Sequence, residues 1–126
     1  GLASFPVSDL AGLAAATHRF EAHYTTSLVG PRPAAAGLYR DRSPLQMASR
    51  IRRPLLLLHG SADEVVPAAQ SADLADAIGL HGGLVEYHLY DGEGHGWRSP
   101  ATAQDALGRM ADFLERHVGP CGRMAP

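Results

Sequence analysis

The stretch Asp91-Gly92-Glu93-Gly94-His95-Gly96-Trp97 sets a histidine between two glycines, directly after an apolar run. Glycine frees the backbone and lets other groups approach closely. A histidine displayed in such a turn is placed for chemistry, and imidazole chemistry needs a partner. The stretch His59 to Pro67, HGSADEVVP, also follows an apolar run and offers Asp63. A carboxylate bonded to imidazole fixes its tautomer and stabilises the imidazolium. Asp63 has a competing local use: it can cap the helix that starts near Pro67 or bond backbone in its own turn.

The surrounding pattern says how the two residues meet. Residues 54–60, PLLLLHG, read as a strand buried on both faces, bounded by proline and glycine. A helix follows from Pro67 to Ile78, with Leu74, Ala75 and Ile78 at helical spacing and Gly79, Gly82 and Gly83 ending it. Residues 84–90, LVEYHLY, form the next strand, and residues 100–117 the last helix. On that helix Ala106, Met110, Phe113, Leu114 and Val118 are expected on one face. Upstream, residues 2–7 read as a short strand. A helix over roughly 9–17 follows, started by Ser8 or Asp9. Phe20, Tyr24 and Leu28 are spaced for one helical face, "GPRP" at 30–33 is a break, and Ser43-Pro44 opens a short helix near 44–50. The order strand, helix, strand, helix implies parallel strands with right-handed crossover helices, an α/β fold of about three strands in three layers, α/β/α. In such sheets chemistry gathers at the carboxyl ends of the strands. The loops after 54–60 and 84–90 then leave neighbouring strands on one edge, and Asp63 can reach His95.

Composition narrows the function. The 126 residues suffice for one domain with a modest core, here residues 1–118, with 119–126 expected as a disordered tail. A net charge of -2 gives no electrostatic case for nucleic acid or an anionic membrane. Cys121 is the single cysteine, which excludes an intrachain disulfide and a multi-cysteine metal site. A metal site of His95, Asp63 and His88 matches no strong ligand spacing, so no metal is expected. The apolar runs are too short to span a membrane. Without a basic region and a long apolar region at the start, the expected location is cytoplasmic. Gly1 is not a natural translation start, which suggests a fragment or a processed product.

"PLLLLHGSADEVVP", "VEYHLYDGEGHGW" and "MADFLERHV" together resemble the C-terminal part of the α/β-hydrolase catalytic domain of the prolyl oligopeptidase family of serine peptidases. "SFPVSDLAGL", "THRFEAHY", "LVGP" and "YRDRSPL" resemble the segment that follows the nucleophile-bearing helix there. The resemblance covers roughly residues 2–118 and implies a partial α/β-hydrolase fold. By position Asp63 matches the family's catalytic aspartate and His95 its catalytic histidine, with Glu64 and Val65 after the aspartate. His59 matches a strand-end residue whose role is structural. The implied activity is proteolysis without a cofactor, on a peptide substrate. Trp97 and Arg98 flank His95 and are weak substrate-binding candidates; packing beneath the loop and solvation are their plainer roles.

The resemblance leaves one gap. The family's nucleophile is a serine in a Gly-x-Ser-x-Gly elbow. None of the serines at 4, 8, 27, 43, 49, 61, 71 and 99 has glycine two before and two after. Ser61 sits in the aspartate loop, where its hydroxyl is expected to order the turn. The lone chain is therefore expected to be inactive, with its nucleophile supplied from elsewhere. Two other functions stay open: a non-catalytic truncated hydrolase module that self-associates or binds a partner, and an esterase-type α/β-hydrolase. The strand at 2–7 would also present an open sheet edge, which implies a homo-oligomer.

Overall fold

A computed structural model of the chain describes residues 1–16, 24–31 and 34–119. Three strands form one sheet: β1 (Leu2–Ser4), β2 (Leu55–Gly60) and β3 (Val85–Tyr90). They are parallel in the order β1-β2-β3. The register pairs Leu2 with Leu56 and Ser4 with Leu58 on one side of β2, and runs from Leu55–Val85 to Gly60–Tyr90 on the other. Helices α1 (Leu10–Ala16), α2 (Tyr24–Val29) and α3 (Ala36–Asp41) and the 3₁₀ helix Pro44–Arg50 lie between β1 and β2. Helix α4 (Ala69–Leu80) joins β2 to β3, and α5 (Pro100–Val118) follows β3.

The leucine run of β2 explains the layers. Successive side chains of a strand point to opposite faces. Leu57 packs with Ala48, Leu74, Ala75 and Ile78 on the α4 side. Leu56 and Leu58 pack with Ala106 and Phe113 on the α5 side. Burial of each leucine contributes about 1.5–3 kcal/mol. The three-layer α/β arrangement expected from the sequence is therefore present. A buried polar knot anchors the turn after β1 to α4: Gln70 Oε1 accepts from Ser8 N at 2.8 Å and Asp9 N at 2.7 Å, and Ser8 Oγ donates to Gln70 O at 2.6 Å. Among the described residues no helix is long and apolar enough to cross a membrane.

Several local expectations change. The first strand stops at Ser4, because Phe5 takes a positive φ of 52° and Pro6 has no N–H for the ladder. Asp9 does cap α1, accepting from Ala11 N at 3.0 Å. Helix α3 was not legible: its start at Ala35 has no capping side chain, and of its residues only Tyr39 is buried. Gly79 falls inside α4 instead of ending it, and the chain turns at Gly82, where φ is 73°. On α5, Ala106 and Phe113 are buried and Met110 packs beside them. Leu114 and Val118 are 43% and 75% exposed, so the apolar face is narrower than its spacing implied. Phe20, the Tyr24 side chain and residues 120–126 fall outside the described set, as does the break at Arg32 and Pro33.

Leu57→Ala should cost about 2–5 kcal/mol by opening a cavity in the core. Leu114→Ala should cost about 0.5 kcal/mol or less. Urea unfolding midpoints of the two variants check both, and equal losses would contradict the described faces.

Candidate active site

The site begins where β2 and β3 end in register. Beyond the ladder, Ser61 N donates to Tyr90 O and Ala62 N to Glu93 O, each at 2.9 Å. The two loops are thereby laced together. Gly60 permits this approach: a Cβ there would collide with the backbone of Glu93 and Gly94. Ser61 Oγ donates to Asp91 Oδ1 at 3.0 Å and accepts from Gly92 N at 2.8 Å, so it orders the turn as its position suggested.

Asp63 performs both of the uses its sequence context left open. Its Oδ1 accepts from Val65 N at 2.9 Å and Val66 N at 2.8 Å, an Asx-type turn. Its Oδ2 lies 2.9 Å from His95 Nδ1. The side chain is fully buried. Burial pushes the carboxyl up, but the Val66 N–H, the His95 imidazole and the Val65 N–H outweigh it and hold Asp63 below the ordinary carboxylate range. We assign the Nδ1 proton to His95 because Oδ2 is an acceptor. That leaves Nε2 of a side chain 39% exposed. His95 lines a cavity of about 460 Å³ together with Glu64, Val65, Trp97 and Arg98. Gly96, next to it, has a φ of 148°, which L side chains rarely adopt.

Two residues that the sequence did not single out complete the setting. Glu93 is 5% exposed, and its carboxylate accepts from Arg98 N at 2.7 Å and Ser99 N at 3.1 Å. It thus closes the His95 loop onto the start of α5, where Ser99 Oγ accepts from Thr102 N. The Arg98 N–H is the largest influence holding the Glu93 carboxyl below its usual range. Phe5 is the other. It is the single non-glycine residue with positive φ among the described residues, and its N–H donates to Leu58 O at 2.9 Å. Its ring centroid lies 5.0 Å from that of His95 and 4.5 Å from that of Trp97. Its position at the carboxyl end of β1, before Pro6, was the available signal.

Trp97 takes the packing role, beneath the loop against Phe5 and Tyr90, and also stands at the cavity. Arg98 is exposed at the cavity edge. His88 points instead to the α5 side, with Nε2 at 3.4 Å from Arg109. Burial, then the Arg109 charge, pushes His88 below its ordinary value. Among the described residues no group of three or more His, Cys, Asp or Glu is arranged to hold a metal ion. Glu21 and His23, which their place in the sequence also allows to face the site, lie outside the described residues. An imidazole tethered through Nδ1, with Nε2 open, can accept a proton from a hydroxyl and return it to a leaving group.

The sequence pattern of the prolyl oligopeptidase family matches residues 1–121. A puromycin-hydrolyzing peptidase of Mycobacterium tuberculosis superposes with a TM-score of 0.91 at 38% identity, over 96% of this chain and 19% of that one. Dipeptidyl peptidase family member 6 of Caenorhabditis elegans is 34% identical over 80 residues, 64% of this chain and 11% of that protein. Dipeptidyl aminopeptidase BIII of Pseudoxanthomonas mexicana is 34% identical over 86 residues, 68% of this chain and 12% of that protein. The chain therefore spans only 11% to 19% of the length of these relatives.

Two outcomes test the site's construction. Asp63 and Glu93 both titrate below their ordinary values of about 3.9 and 4.3. A depressed carboxylate adds stability that is complete above its unfolded value and lost as pH falls through its folded value. Unfolding midpoints should therefore drop below about pH 4. Combining Asp63→Asn with Glu93→Gln should flatten that acid limb, and an unchanged limb contradicts the assignment. Gly60→Ala should part the two loops and remove the Asp63–His95 bond, visible as loss of the downfield Nδ1 proton resonance of His95.

Proposed function

Because the chain belongs to the prolyl oligopeptidase family, we propose that it forms the C-terminal part of the catalytic domain of a serine-type peptidase. In this reading Asp63 and His95 are two members of a Ser-Asp-His triad. The serine comes from polypeptide outside these residues, since no serine here has the elbow sequence. The observation that carries the reading is the 2.9 Å contact between Asp63 Oδ2 and Nδ1 of His95, which lines the cavity.

The chemistry follows from that contact. His95 Nε2 takes the serine proton as the hydroxyl oxygen attacks the substrate carbonyl. Asp63 stabilises the imidazolium that forms. His95 then gives the proton to the departing amine, leaving an acyl-serine. A water deprotonated by the same nitrogen hydrolyses that ester. Peptide or aminoacyl amides are the proposed substrates, supported by relatives named as dipeptidyl peptidases and as a puromycin-hydrolyzing peptidase. The free edge of β1 would receive the upstream strand. In the isolated chain it is open to a second copy.

In the longer enzyme, His95→Ala and Asp63→Asn should each lower kcat by about 10⁴-fold while KM changes little. The 126-residue chain alone should take no fluorophosphonate label and should associate as its concentration rises in light scattering. A labelled residue in the isolated chain would reveal an unrecognised nucleophile and overturn the assignment. Ester turnover without amide turnover in the longer enzyme would make it an esterase.

A further inference from the structure

His59 is a buried titratable group that the proposed reaction leaves without a task. It lies near the end of β2 and is 0% exposed. Both ring nitrogens are engaged. Nε2 is 2.9 Å from Val66 O, and a carbonyl can only accept, so Nε2 carries a proton. In that tautomer Nδ1 accepts from the Ser71 hydroxyl of α4, 2.7 Å away. The same Nε2 lies 3.2 Å from Oδ2 of Asp63. That is the oxygen facing His95 Nδ1.

The contacts form a closed set. Oδ1 of Asp63 is taken by the backbone N–H groups of Val65 and Val66. Oδ2 faces His95 on one side and His59 on the other. Val66 donates its N–H to Asp63 and offers its carbonyl to His59. Phe5 packs against both imidazoles, with centroids 5.6 Å from His59 and 5.0 Å from His95. A strand-end residue that only filled volume would need no donor here, and burying an imidazole costs free energy unless its nitrogens are bonded.

We propose that His59 is a positioning residue: its Nε2, bonded to Val66 O and 3.2 Å from Asp63 Oδ2, fixes the loop and the carboxylate that orients His95. This rests on reading Asp63 and His95 as the acid–base pair. The chain of contacts runs from Ser71 on α4 through His59 and Asp63 to His95.

The wild-type chain supplies the first test. Nitrogen-15 NMR should find His59 protonated on Nε2. His59 Nε2 and His95 Nδ1 both lie within 3.2 Å of Asp63 Oδ2, which brings their protons to within roughly 5 Å of each other. A proton–proton Overhauser peak is therefore expected between His59 Nε2–H and His95 Nδ1–H. A proton on Nδ1 of His59 alone, or no such peak, overturns the proposal even if no variant folds. In the second test, His59→Gln keeps a donor near the Nε2 position and His59→Phe fills the space without one. The glutamine variant should keep the His95 Nδ1–H resonance, whereas the phenylalanine variant should shift it and exchange it faster with water. In the longer enzyme, His59→Phe should lower kcat on the order of 10–100-fold with little change in KM, and His59→Gln should restore most of it. Equal behaviour of the two folded variants would leave His59 a purely structural residue. A present Overhauser peak in an enzyme without amide hydrolysis would remove the proposed function and leave this contact standing.

Discussion

The parallel pairing of β2 with β3 is the constraint on which the site rests. Its last pair, Gly60 with Tyr90, releases two loops at the same edge of the sheet and in the same direction. Two residues 32 positions apart then meet at hydrogen-bond distance. The pairing works only because the backbone of Glu93 occupies the space a side chain at position 60 would need. A missing Cβ is thus as necessary to the arrangement as the carboxylate and the imidazole.

Around that junction the buried carboxylates are met by donors. Removing a carboxylate from water is costly unless donors replace the lost hydration. Asp63 faces two backbone N–H groups and two imidazoles, and Glu93 accepts from two backbone N–H groups. Among the described residues no buried side-chain nitrogen or oxygen lacks a hydrogen-bond partner. These bonds aim in one direction: the Asp63 loop, the His95 loop and the start of α5 are tied into a single unit. His95 keeps one nitrogen tethered and the other free, with an aromatic wall of Phe5 and Trp97 beside it. The positive φ of Phe5 is local strain held beside His95 and Trp97 by the turn after β1, which the Gln70 knot anchors to α4.

Legibility followed the range of the interactions involved. The leucine run, the Asp9 cap and the Ser43-Pro44 start are local signals, and each matched an element. Helix α3 has no such signal, because its start is uncapped and its one buried residue, Tyr39, is tied to Gly30 O. The α5 face was over-read for a related reason: spacing reports which residues share a side of a helix, not which of them the sheet covers. Phe113 is buried against β2, whereas Leu114 and Val118 stay exposed.

The residue order by itself determined the α/β architecture, since strand and helix periodicities are written in neighbouring residues and parallel crossovers have one favoured hand. It also pointed to Asp63 and His95, because the carboxyl ends of adjacent parallel strands bring their loops together. The tertiary structure alone decided the surroundings of that pair. That Glu93 braces the loop, that Phe5 lies on the imidazole and that His59 reaches the same carboxylate oxygen as His95 are distances across the sheet. No spacing along the chain encodes them, because they are set by how three strands and two helix layers pack in space.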